Sequence, residues 1–170
     1  MLIRGLIDED FVNYKKASML IVCPYCNFKC NKEAGQTVCH NSRLIQSPLI
    51  KIEPEDLVKR YLDNPITSAI IFGGLEPFYF DDNITHDYHC QMLLVLDCLR
   101  RKYKCMDDVI IYTGYTEEEL VQRVGHQTIT TIFQPVVVKY GRYLPGYESH
   151  LDPILGVQLA SPNQYAKRYD

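Results

Sequence analysis

Four of the seven cysteines in this 170-residue chain, Cys23, Cys26, Cys30 and Cys39, fall within the stretch CPYCNFKCNKEAGQTVCHN. Thiols this dense in one loop suit a disulfide, a zinc ion or an iron–sulfur cluster. A disulfide framework fits poorly, because the cysteine count is odd and a chain of this length buries a core without covalent staples. Zinc takes four donors in a tetrahedron. Cys23-x2-Cys26 is half of a zinc knuckle that Cys30 and Cys39 would complete. A cluster with one open iron makes a different demand: three thiolates bind three irons and the fourth iron stays free. Short spacing on one irregular loop suits that, since the ligands must converge on a very small cube. The other thiols, Cys90, Cys98 and Cys105, stand on one predicted helix about 11 Å apart. That is too far to share a metal or a disulfide, so they read as small buried hydrophobes.

The elements that position the loop follow from the apolar pattern. SMLIVC (18–23) is a compact strand running into the first thiol, and MLIRGLI before it reads as a short opening strand. IEPEDLVKRYLDN predicts a helix, with Pro54 in its first turn, acids at its start, and Leu57, Val58, Tyr61 and Leu62 on one face. SAIIFGG (68–74) is a second strand. A helix over 86–104 follows from Tyr88, Met92, Val95, Leu96, Leu99 and Tyr103. DDVIIYTG (107–114) is a third strand, and Thr116 with Glu119 makes a capping box for TEEELVQRV. TIFQPVVVKYG and ILGVQLAS read as strands four and five. Strands alternating with helices predict parallel pairing in one domain over 1–170, with ligands at the C-terminal ends of the strands. The thiol loop, GGLEP and TGYT all follow such ends, so they should share one rim.

Composition narrows the function. The formal charge is −3 and no basic face interrupts the acids, so nucleic-acid binding has no electrostatic support. LRRKYK (99–104) reads as a solvated helix edge. No apolar run approaches a membrane span, and MLIRGLIDEDF carries acids where a secretory signal carries bases. A cytoplasmic location, where thiols stay reduced, is expected.

CNFKC closing with CHN resembles the cluster loop of radical S-adenosylmethionine (SAM) enzymes, whose usual spacing is C-x3-C-x2-C. Here Cys26, Cys30 and Cys39 give C-x3-C-x8-C, with Cys23 extra upstream. GGLEP (73–77) is similar to that family's GGEP motif with Leu75 inserted. VIIYTGYTEEEL, VVVKYGRYL and LASPNQY look like later segments of a narrower group, the activating proteins of anaerobic ribonucleoside-triphosphate reductase. The segments occur in the same order over most of the chain.

The resemblance implies a partial, open (β/α) barrel with about five mostly parallel strands. It implies a [4Fe-4S] cluster on Cys26, Cys30 and Cys39, with Cys23 as runner-up, and SAM chelated to the open iron. One electron would cleave SAM to a 5′-deoxyadenosyl radical, which the protein would use to form a glycyl radical on the reductase. An electron donor such as flavodoxin or ferredoxin is implied too. Gly73 and Gly74 would let backbone approach the methionyl group, and Glu76 would accept from its ammonium or cap the next turn. Val38 would lie beside the adenine, while Thr113, Gly114 and Tyr115 would form pocket wall. His40 and Asn41 would fix the loop, and Asn163 and Gln164 would close the site. Tyr25, Tyr112, Tyr115 and Tyr140 stand near these segments, where packing and phenol hydrogen bonds account for most tyrosines. The competing readings are another radical SAM reaction on a peptide or small molecule, and a zinc- or cluster-stabilised binding protein without turnover.

Overall fold

A computed structural model describes residues 1–79, 88–128 and 134–170. The chain opens with two strands, β1 (Leu2–Ile3) and β2 (Gly5–Asp10), and then β3 (Ser18–Val22), which ends at Cys23. Within the thiol loop lie a short helix, α1 (Lys29–Ala34), and a 3-10 turn (Ser42–Gln46), followed by β4 (Ile50–Lys51). Next come α2 (Pro54–Leu62), β5 (Ala69–Gly73) and α3 (Tyr88–Asp97), which runs on into a π turn over Cys98–Lys102. β6 (Asp108–Tyr112), α4 (Glu117–Val124) and β7 (Val136–Tyr140) precede β8 (His150–Asp152), β9 (Val157–Leu159) and β10 (Tyr165–Tyr169).

Six strands form the central sheet in the order β10-β7-β6-β5-β3-β2. The inner four are parallel and in sequence order, with β2 and β10 antiparallel at the two edges. Parallel neighbours need a crossover, and α2, α3 and α4 supply one for each step. β5 is buried at every residue, as an apolar run between two covered faces must be. The chain is thus an α/β protein with a mostly parallel sheet, as the strand–helix alternation predicts.

Alternation along each strand sorts the side chains onto two faces. Met19, Ile21, Ile70, Phe72, Val109 and Ile111 join one cluster with Leu57, Val58, Met92, Val95 and Leu120 of the three crossover helices. Each such buried side chain contributes on the order of 2 kcal/mol. Ile71, Ile110 and Val137 belong to a second cluster with Tyr14, Leu155 and Leu159. The crossover helices therefore pack on one face of the sheet. The segment before β3 and the β8–β9 hairpin cover part of the other.

Local signals hold at the helix starts. Pro54 occupies the first turn of α2. In α4, Thr116 accepts from the Glu119 N–H and Glu119 accepts from the Thr116 N–H, closing the capping box in both directions. Three expectations change, and one strand is new. Leu62, at the end of α2, is 38% exposed rather than part of its buried face. Cys105 lies beyond the π turn, where its N–H donates to the Leu99 carbonyl, and not on the helix. ILGVQLAS does not add a fifth strand to the sheet; its residues 157–159 pair with β8 in a separate hairpin. The strand that does pair with β7 is β10, whose sequence YAKRY carries little apolar signal. Cys98 and Cys105 are partly buried against the main core, as small hydrophobes would be. The side chains of Tyr88 and Cys90, and residues 131–133 of the fourth predicted strand, lie outside the described residues.

Candidate functional site

The face of the sheet opposite the helices carries Leu20 and Val22 from β3, Ile71 and Gly73 from β5, Tyr112 from β6 and Lys139 from β7. All six line a single cavity of about 410 Å³. The segments beyond these strand ends complete its wall. Cys26, Cys30 and Cys39 come from the thiol loop, Gly74 and Glu76 from GGLEP, and Thr113, Gly114 and Tyr115 from TGY. The three segments expected to share a rim do share one.

The same alternation separates the thiols. Cys23 continues the Met19, Ile21 series and is fully buried in the helix-side core, with its N–H donated to the Gly73 carbonyl. It does not line the cavity. Cys26 does, and it accepts from the Phe28 N–H at 3.3 Å. Phe28 itself has φ 50, a left-handed conformation that costs energy in a residue with a Cβ. Asn31 organises the far part of the loop, its Oδ1 accepting from the N–H groups of Val38 and Cys39 at 2.9 and 2.8 Å. Burial pushes the Cys26 thiol up to about 12 and the Cys30 thiol up to about 11. Both are therefore neutral in the protein alone, and a positively charged ligand would reverse that balance. Among the described residues, no three His, Cys, Asp or Glu side chains are already gathered into a metal-binding group. The thiols share a wall of the cavity and have not converged to a point.

Glu76 ties two rim segments together. Its side chain is 6% exposed and accepts from the Thr113 hydroxyl at 2.7 Å, the Gly114 N–H at 2.9 Å and the Phe78 N–H at 3.1 Å. Burial raises its pKa, and those three donors act against the rise. Gly74 adopts φ +73, and a Cβ there would stand 2.9 Å from Val22. A Cβ on Gly73 would stand 3.1 Å from Tyr112 Cβ. Both glycines line the cavity, but packing between strand ends is what first excludes a side chain.

Lys139 also lines the cavity, although its place in VVVKY predicts only a residue of a strand. The residue is 6% exposed, and its ammonium donates to the Gly141 carbonyl at 2.7 Å. Among the described residues no carboxylate comes within salt-bridge reach of it. Burial pulls its pKa down to about 8, with Glu76 acting in the opposite direction. Parity along β7 offered a signal, because Val136, Val138 and Tyr140 belong to the helix side and Lys139 must face the other way.

The remaining predicted residues divide. Asn41 and Gln164 line the cavity, whereas Asn163 stands behind it and donates to the Arg142 carbonyl at 2.8 Å. Val38 is half-buried and does not line the cavity, because the lengthened loop turns its backbone onto Asn31. His40 is exposed, with its ring edge against Tyr143 at 5.4 Å. Tyr112 and Tyr115 reach the cavity; Tyr25 and Tyr140 do not. Tyr140 instead shares a buried phenol contact of 2.9 Å with Tyr169. No family model, curated protein or solved structure matches the chain. Among the described residues no helix is long and apolar enough to cross a membrane.

Proposed function

We propose that this chain is a radical SAM enzyme of the glycyl-radical activating type. In this reading a [4Fe-4S] cluster rests on Cys26, Cys30 and Cys39, SAM fills the cavity beside it, and the sheet with helices on one face is a partial, open (β/α) barrel. The observation that carries the reading is the shared cavity. Three thiols of one loop, two glycines at a strand end and a buried lysine with no carboxylate partner among the described residues all open onto it, while Cys23 is turned into the core.

The donor set fits the group. Soft thiols are the natural ligands of iron–sulfur clusters, and three of them leave an iron open. When bound, the cluster supplies one electron to the sulfonium C–S bond of SAM, giving methionine and a 5′-deoxyadenosyl radical. The protein's own groups bind and orient. Lys139 offers a desolvated cation to a carboxylate. Glu76 holds the Gly73–Leu75 backbone against Thr113 and Gly114. The apolar floor of Leu20, Val22 and Ile71 limits water around a reactive carbon radical.

The proposed partner is the glycyl-radical subunit of an anaerobic ribonucleotide reductase, with flavodoxin or ferredoxin as electron donor. Incubating the reduced protein with SAM and that reductase, without oxygen, should give 5′-deoxyadenosine and a glycyl radical doublet in equal amounts. SAM cleavage without a doublet would remove the reductase from the proposal and keep the radical SAM chemistry. No cleavage at all would remove both.

A further inference from the structure

Arg142, in the segment KYGRY that follows β7, is charged yet only 9% exposed. Its guanidinium donates to both carboxylate oxygens of Glu119, at 2.6 and 2.7 Å, and its Nε lies 3.3 Å from Glu33. These two acids belong to different parts of the site. Glu33 stands on α1, three residues after Cys30. Glu119 stands at the start of α4, where the Thr116 N–H also binds it, so it has a fixed place. Lys29, the residue before Cys30, reaches the same Glu119.

The other end of the loop is held from the same platform. Arg142 lies 6.0 Å from the centroid of the Tyr115 ring, and Arg123 lies 4.5 Å from it. The Tyr115 hydroxyl accepts from Asn27, the residue after Cys26, at 2.8 Å. The backbone places Arg142 here through Gly141, at φ +93, where a Cβ would collide with the Asn163 carbonyl at 2.5 Å. A planar guanidinium suits this junction better than an ammonium, because its Nη2 and Nε can serve two carboxylates at once in one plane.

We propose that Arg142 is the positioning residue of the thiol loop: by fastening α1 to α4 it holds Cys26 and Cys30 at the cavity wall and so fixes where their ligand sits relative to GGLEP. The identity of that ligand rests on the iron–sulfur reading above; the fastening itself needs no metal. The first readout is therefore made on reduced, metal-free protein. Alkylation of Cys30 and Cys26 is followed by peptide mass, with the half-buried Cys98 as internal reference.

Arg142→Met keeps a long apolar stem against Tyr115 and loses both ion pairs. It should speed alkylation of Cys30 relative to Cys98 by roughly tenfold, as expected if the loop opens more often. Losing a nearby cation would by itself slow thiolate chemistry, so acceleration reports opening and not charge. Arg142→Lys should recover part of the protection. Glu33→Gln cuts only the α1 arm at a half-exposed side chain, and a rise of roughly two- to threefold is expected. It decides the matter should Arg142→Met fail to fold. In iron-loaded protein, Arg142→Met should also alter the response of the cluster's paramagnetic resonance spectrum to SAM. Parent-like alkylation in both Arg142→Met and Glu33→Gln would overturn the proposal. If the parent takes up no iron while the labelling still changes as expected, the fastening stands and the iron–sulfur reading falls.

Discussion

Serine at Cys26, Cys30 or Cys39 is expected to strip iron and sulfide from the protein, whereas Cys23→Ser should retain them. Serine offers a harder, poorly ionised oxygen in place of a soft thiolate, and three ligands leave no spare to compensate. Cys23 is different because its side chain is buried on the helix side of β3, away from the cavity. Its replacement puts a hydroxyl into the apolar core, at a cost of about 1–3 kcal/mol in stability. Iron, sulfide and a denaturation midpoint on the four variants separate the two effects. Loss of the cluster in Cys23→Ser, with retention in Cys39→Ser, would overturn the ligand assignment.

Lys139→Met is expected to make the protein more stable and worse at binding SAM. Moving the ammonium pKa from 10.5 to about 8 on folding carries a cost that the loss of its bond to the Gly141 carbonyl offsets only in part. The net gain from methionine, similar in length and uncharged, is about 2 kcal/mol at neutral pH. The sign follows from the depressed pKa: the cost is full below about 8 and vanishes as pH rises toward 10.5. The advantage of the variant in denaturant should shrink over that window. SAM affinity should fall roughly tenfold or more, the scale of a lost charge-assisted hydrogen bond. A variant that is less stable than the parent, with SAM binding unchanged, would make Lys139 a structural residue.

Much of this layout is legible in the chain. Apolar runs separated by helical segments predict parallel pairing among β3, β5, β6 and β7, though not their order, and the loops after three of those strands meet because parallel strands all end on one side. Period-two alternation also separates Cys23 from the cavity and turns Lys139 into it, once the helix-facing parity of Met19, Ile21, Val136 and Val138 is known. That parity depends on which face the helices take, which a strand's own residues do not state. β10 escapes notice because YAKRY is polar at its exposed positions, and its pairing partner β7 lies a long way back in the chain. The Arg142, Glu119, Glu33 and Lys29 junction escapes for the same reason: each residue reads locally as a surface charge, and only the fold brings them together. Val38 shows the converse. The resemblance puts it beside the adenine, whereas in this fold it does not line the cavity and its N–H donates to Asn31 Oδ1.

The most direct test of the central claim is the metal and sulfide content of the parent protein purified without oxygen, read together with its paramagnetic resonance spectrum before and after SAM. The expected result is a brown protein with about four irons and four acid-labile sulfides per chain, whose reduced spectrum changes when SAM is added. A colourless protein with one zinc per chain and no sulfide would contradict it.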